Sequence, residues 1–298
     1  STSYTLAIYK TVLLFKERCV RGERLYDGQM EITFLVVLGL VAGSLGGLLG
    51  IGGSVVMIPA LLFFVPGTSM HLAQAVAMTV NPAVAIGAAA KHHRNLNVNW
   101  RTVYTVLPVS IVLISIAAWF SNDVKGAWLE LAFALFLVWV LWDQLSSLCN
   151  TNKEEGAEPN ISADERSHSI ARCATTGGIT GTIAGLLGIG GGLIQVPLLN
   201  SLCKLPMKKA IGTSSAIMFV TALVGASFKD FSLNQINGEG MKALLTAFQI
   251  IPGALVGGWL GAKLTNVLPT KAIRITFAIL VIIAACKLFA GAIPNLTL

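Results

Sequence analysis

Apolar residues run through this sequence in long blocks separated by short polar joints, not at helical or strand spacing against a polar face. Eight blocks approach the length of a bilayer-crossing helix, at about residues 31 to 49, 70 to 90, 102 to 121, 126 to 148, 173 to 188, 209 to 228, 243 to 264 and 269 to 290. A helix covers the hydrocarbon layer of about 30 Å in about 20 residues, so most of these blocks predict full crossings. Two further blocks, 54 to 65 and 192 to 203, hold only 12 residues each and carry Pro59 and Pro197. They are too short to span and predict half-helices or hairpin arms. The pattern predicts an all-α, polytopic membrane protein with about eight long apolar segments.

One long polar stretch, 149 to 172, lies near the midpoint and reads as a linker. It separates a first transmembrane unit at 31 to 148 from a second at 173 to 298. Residues 1 to 30 place Lys10, Lys16, Arg18, Arg21 and Arg24 after the apolar stretch Tyr4 to Ile8. That order predicts an interfacial segment on a lipid surface, and it lacks the uninterrupted apolar core of a secretory signal.

Composition agrees with the blocks. Of 298 residues, 54% are apolar and only 12% charged, against about 25% charged in a soluble domain. So few charges cannot cover a water-exposed surface of this size, and the bilayer is the expected solvent. The setting this predicts is a multi-pass integral protein of a cell membrane, the bacterial inner membrane being the expected one. The net charge of +7 comes from Lys and Arg clustered between apolar blocks, as juxtamembrane anchors are, and does not point to nucleic acid. Five Cys without a CxxC pair read as free thiols. Trp119, Trp128, Trp139, Trp142 and Trp259 lie in or near the blocks, as an aromatic belt requires.

An internal repeat is the strongest signal. GLLGIGG occupies residues 47 to 53 and again 185 to 191, an offset of 138 that also pairs Gly43 with Gly181, Pro59 with Pro197 and Leu61 with Leu199. Such identity predicts two repeats related by internal duplication, each with a Gly-rich break before a short half-helix. A helix break survives in hydrocarbon only where protein or a polar cavity covers it. The short helix after each break aims its N-terminal N–H groups at whatever sits there, which favours an anion. Three series spaced by four, Gly39/Gly43/Gly47, Gly177/Gly181/Gly185 and Gly253/Gly257/Gly261, read instead as notches for close helix packing.

The candidate binding set is therefore Gly52, Gly53, Ser54, Gly190, Gly191 and Gly192 at the breaks, with Thr79, Asn81, Gln195, Thr213 and Ser214 from inside the apolar blocks. Uncharged hydroxyls and amides can donate to an oxyanion without a buried counter-charge. They equally serve to bond helix backbones, and Asn81 stands before Pro82, where it can satisfy a carbonyl freed by a kink. Lys91, His92, His93, Arg94 and Arg101 cluster at a block end and read as an interfacial anchor or an anion vestibule. No Cys or carboxylate completes a ligand set there, so no metal is expected. Lys229 and Asp230 fall at a similar place in the second half and read as interfacial and solvated.

Residues 43 to 61, GSLGGLLGIGGSVVMIPAL, and 181 to 199, GTIAGLLGIGGGLIQVPLL, with AIGTSSA at 210 to 216, resemble the sulfite exporter TauE/SafE family of membrane proteins. NLNVNWR at 95 to 101 is similar to a loop of that family in which a Gly and an Asp are usual. Asn95 or Asn97 and Asn99 take their places here. The resemblance implies a transporter of sulfur oxyanions or small organosulfonates. No P-loop, HExxH or GxSxG occurs, so no enzyme activity and no cofactor are expected. Transport is then driven by a gradient, with H⁺ or Na⁺ as coupling ion, or by a separate ATPase. The expected partners are the anion, the lipid bilayer and a second copy in a homodimer. Two other readings fit the same features, a non-transporting membrane subunit or sensor and an uncoupled anion channel.

Overall fold

The computed structural model describes residues 28–94, 97–149 and 170–264, together with 281, 282 and 285. Nine helices account for the continuous segments: α1 (Gly28–Leu49), α2 (Ser54–Phe64), α3 (Met70–Arg94), α4 (Trp100–Phe120), α5 (Gly126–Cys149), α6 (Ile170–Leu187), α7 (Gly192–Ser201), α8 (Met207–Asn237) and α9 (Gly240–Leu264). No strand occurs among the described residues. Most of the expected interfacial segment and of the polar linker lies outside them. So does most of the block at 269 to 290.

Five helices are long and apolar enough to cross a membrane, over Ile32–Leu49, Met70–Lys91, Trp100–Phe120, Lys209–Ile236 and Gly240–Leu264. These match five of the eight expected blocks among the described residues. Helix α5 is apolar over Gly126–Trp142. In α6 the small and hydroxylated residues Thr175, Thr176, Gly177, Gly178, Thr180 and Gly181 replace large apolar ones. Those residues suit a helix covered by protein rather than lipid.

Each long helix before a break ends in the same way. Gly50 and Gly188 adopt left-handed conformations with φ of 67° and 69°, and Ile51 and Ile189 donate to the carbonyls of Gly46 and Ala184 at 3.1 and 3.2 Å. These are Schellman terminations, and a side chain at the left-handed position would be strained. Three residues after these isoleucines α2 and α7 begin, and Pro59 and Pro197 take the sixth position of each.

Packing follows the glycine notches. Gly39, Gly43 and Gly47 of α1 meet Ile250, Ala254 and Gly258 of α9 in that order, so the two helices run parallel. Gly177, Gly181 and Gly185 of α6 meet Val106, Ser110 and Ile114 of α4, again parallel. Between these pairs α3 and α8 run antiparallel, with Gln74 against Lys229, Met78 against Gly225 and Ala85 against Met218. By position relative to the two GLLGIGG runs, α1, α2, α3 and α4 correspond to α6, α7, α8 and α9. Exchanging the halves maps the contacts of α1 with α9 onto α6 with α4, of α2 with α3 onto α7 with α8, and of α3 with α9 onto α8 with α4.

The outward faces of α4, α5 and α9 are apolar, with Tyr104, Val112, Phe120, Trp128, Leu135, Trp142, Leu245 and Phe248 exposed. In water such a surface would aggregate, and in a bilayer it is the lipid face. Lys263 lies over the Trp259 ring at 5.5 Å, a cation and an aromatic paired at the last turn of α9. Near the start of α6, the Sγ atoms of Cys173 and Cys203 approach to 3.3 Å, both buried and unbridged.

The glycine seams give a direct test of this packing. A Cβ on Gly43 would stand 2.6 Å from the Ala254 carbonyl oxygen, whereas one on Gly178 would meet Leu113 Cδ1 at 3.5 Å and Val109 Cγ1 at 3.9 Å, ordinary contacts. Gly43→Val should destabilise the protein by about 1–3 kcal/mol through overpacking. Gly178→Ala should leave stability unchanged or improve it by up to about 1 kcal/mol. Thermal unfolding in detergent, read by the fraction surviving size-exclusion chromatography, checks the order.

Candidate functional site

The two breaks meet inside the protein, and two side chains hold them together. Asn81, buried in the middle of α3, accepts from the Gly53 N–H at 3.2 Å and donates to Ser54 Oγ at 2.5 Å and to the Ile189 carbonyl at 3.2 Å. Its amide therefore closes the start of α2 and a carbonyl freed in the second break at once. Ser214 of α8, also buried, lies within hydrogen-bond reach of the carbonyls of Gly50 and Gly192, at 3.1 and 3.4 Å, and of Gln195 Oε1 at 3.3 Å. Thr221 donates to the Gly190 carbonyl at 3.2 Å. A Cβ on Gly192 would come within 2.7 Å of the Ile51 backbone and of Met218 Sδ, so the main chains of the two breaks are in contact. The absence of a side chain there permits that approach.

The knot thus gathers Gly52, Gly53, Ser54, Asn81, Gly190, Gly191, Gly192, Gln195 and Ser214 from the sequence-predicted set. Asn81 bonds the breaks themselves and no carbonyl of its own helix. Two predicted residues lie elsewhere. Thr213 accepts from the Asn99 N–H at 3.0 Å, which ties the start of α8 to the cap of α4. Thr79 turns away and donates to Asp230 Oδ2 at 2.8 Å. Of the basic cluster, Lys91 is half-buried and His93, Arg94 and Arg101 are exposed. His93 packs edge-on against Trp100 with ring centroids 5.7 Å apart, and the His92 side chain lies outside the described residues. Lys91, His93, Arg94 and Arg101 lie at the α3–α4 joint, and among the described residues no hydrogen bond joins their side chains to the knot.

Sequence reasoning missed a second polar cluster. Lys229 and Asp230 are buried, which corrects their assignment to a solvated interface. Lys229 Nζ donates to Gln74 Oε1 at 2.8 Å and to Ser121 Oγ at 2.5 Å. Asn122 Nδ2 donates to the Lys229 carbonyl at 3.1 Å, and Gln74 Nε2 donates to the Leu186 carbonyl at 3.3 Å, at the end of α6. A block drawn to residue 228 put the charges just beyond a span. The helix continues to Asn237 because neither Gly nor Pro interrupts it between Gly225 and Gly238, while Phe231, Leu233 and Ile236 extend the apolar pattern. That continuation was the available signal. Among the described residues no group of three or more His, Cys, Asp or Glu could hold a metal ion.

Comparison with known proteins fits this architecture. The chain is similar to the probable membrane transporter protein MamO of Paramagnetospirillum magneticum, at 27% identity over 87% of this chain and 44% of that protein. It is also similar to the probable membrane transporter protein YunE of Bacillus subtilis, at 26% identity over 87% of this chain and 97% of that protein. A probable membrane transporter protein of Xylella fastidiosa is 30% identical over 80% of this chain and 87% of its own length. The chain thus spans less than half of MamO and nearly all of YunE. No solved structure matches it. The family model described as sulfite exporter TauE/SafE matches residues 35–288. Its span takes in both GIGG breaks and all the crossing helices but the first turns of α1, and the chain, an integral multi-pass membrane protein, belongs to the sulfite exporter TauE/SafE family.

Proposed function

We propose that this protein is a secondary transporter or facilitator of a small sulfur-containing anion, a sulfite-like oxyanion or an organosulfonate, which binds where the two GIGG breaks meet. The observation that carries this reading is the convergence of the starts of α2 and α7 on one buried point, spanned by Asn81 and Ser214. The first turn of a helix has N–H groups with no carbonyl one turn earlier to take them. Two such ends, each with a partial positive charge, suit a ligand that offers several acceptor oxygens and a delocalised negative charge. Backbone donors also avoid the cost of an unpaired cationic side chain in the bilayer interior. The family description supports a sulfur anion, and the names of the relatives support transport.

In the same reading the halves are an inverted duplication. The recurrence of GLLGIGG, the exchange of packing partners between halves and the antiparallel course of the counterparts α3 and α8 all support it. Each break then turns its chain back to its own side, and each half crosses three times. The basic residues 91 to 101 and 204 to 209 fall on the cytoplasmic side, in keeping with positive-inside bias. Single-cysteine labelling of Lys208→Cys in a background without native Cys should find that position shielded from outside. Labelling by an impermeant reagent from the outer face would overturn the inversion.

Binding of sulfite, sulfate, thiosulfate and two-carbon sulfonates to purified full-length protein tests the site. Asn81→Leu leaves the Gly53 N–H and the Ile189 carbonyl unpartnered, each at a cost of about 1–3 kcal/mol. Binding of the anion that the wild type prefers should weaken by about tenfold or more, a loss of at least about 1.4 kcal/mol. Ser214→Ala should weaken it in the same direction. His93→Ala with Arg94→Ala should change it by less than about twofold at moderate salt, where exposed charges are screened. If that double variant abolishes binding while Asn81→Leu spares it, the basic cluster is the anion site. Flux into liposomes separates the roles, since binding without flux marks a sensor or subunit and flux without coupling marks a channel.

A further inference from the structure

The transport reading uses the knot around Asn81 and leaves the cluster around Lys229 and Asp230 without a role. Ionisable groups inside a bilayer-spanning segment are costly and are kept where a pathway or proton relay needs them. Here each charge lies in the other's field, but no hydrogen bond joins the two side chains among the described residues. Lys229 spends two of its three N–H groups on neutral oxygens, Gln74 Oε1 and Ser121 Oγ. Asp230 Oδ2 is satisfied by Thr79, while Asp230 Oδ1 is buried with no hydrogen-bond partner. Asn122 Oδ1 is buried and unpartnered too. Both residues are more than nine-tenths buried. Both acceptors lack a donor, and a single proton on Asp230 Oδ1 makes that atom a donor in its turn.

The groups around this carboxylate are known from every packed element. Helix α3 contributes Gln74, Thr79 and, within electrostatic reach of Lys229, His71, whose Nδ1 is also buried and unpartnered. The end of α4 contributes Ser121 and Asn122, followed by the exposed Asp123 and Lys125. The start of α9 packs Gly240 against the Asp230 carbonyl, with Glu239 beside it. Among them Asp230 is the group with one oxygen held in place and the other open.

We infer that Asp230 is the proton-carrying site of the transporter, and that Thr79, Lys229 and Asn122 position it. The proton arrives from the more acidic side and forms an O–H bond at Oδ1, while Thr79 keeps its bond to Oδ2. That bond breaks when the site opens to the other side, and the proton leaves to water there. Gln74 joins this site to the second break, because one end of its amide accepts from Lys229 and the other donates to the last turn of α6. One proton moving with one monovalent anion leaves the step electrically neutral. The inference rests on the transport reading for its coupling role, and its proton site can be tested apart from it.

Infrared difference spectra of the full-length protein in lipid, between mildly alkaline and mildly acidic pH, should show a protonated-carboxyl band. Asp230→Asn should remove it and Asp230→Glu should shift it. A band of unchanged intensity in Asp230→Asn overturns the assignment whatever the substrate. In liposomes with the membrane potential clamped, a gradient of one pH unit should hold about a tenfold gradient of labelled ethanesulfonate in the wild type. In Asp230→Asn that ratio should fall to about one, while exchange of labelled for unlabelled ethanesulfonate persists and shows the variant to be folded. Undiminished uphill uptake in Asp230→Asn overturns the coupling. Absence of both uptake and exchange in the wild type counts against the transport reading for this anion, and the infrared result alone then decides the proton site.

Discussion

A main chain inside a bilayer has no water to bond to, so every interruption of a helix must be repaired by protein. This molecule interrupts two helices and repairs both breaks with few side chains. Schellman bonds from Ile51 and Ile189 close the two preceding helices. Asn81 then serves both breaks with one amide, and Ser214 reaches a carbonyl in each. Because the repairs are shared, neither break can move without disturbing the partner's hydrogen bonds. A ligand that takes over some of those bonds at one break acts on the other through the same amide.

The glycine seams set the frame in which this happens. Without side chains at Gly43 and Gly181, α1 lies directly on α9 and α6 directly on α4, which gains close packing where lipid offers no hydrophobic drive between helices. Within that frame α3 and α8 carry nine of the 17 buried polar side chains among the described residues. Asn81, Ser214 and Thr221 serve the breaks, and Gln74, Thr79, Lys229 and Asp230 make the second cluster one to two turns along α3 from Asn81. The two polar centres are not independent, since Gln74 touches both Lys229 and the chain entering the second break. An ion-coupled carrier needs such a connection between its ion and substrate sites.

Much of this was legible in the sequence because it rests on local rules. Block length in apolar residues gives crossing helices, GIGG before a short proline-bearing block gives a broken helix, and glycines four apart give a packing notch. The family motif and its second copy located the breaks, and Asn81 and Ser214 were picked out as polar residues that needed partners. Thr79 and Thr213 were picked out by the same argument, and it did not say which neighbour each would meet. Five of the eight expected blocks are helices of crossing length and hydropathy among the described residues, and α6 falls short because its small and hydroxylated residues lower its hydropathy.

Tertiary structure alone decided what the polar residues do. That the two breaks touch depends on α3 and α8 crossing antiparallel, a relation between residues more than a hundred positions apart with no local signature. The same crossing carries Lys229 to Gln74, separated by 155 positions, and buries a charge pair that the sequence placed in solvent. A periodic pattern fixes which residues avoid water, since burial is a property of each side chain's own chemistry. Pairing is a property of two side chains and of the distance between them, and only the folded chain sets that distance.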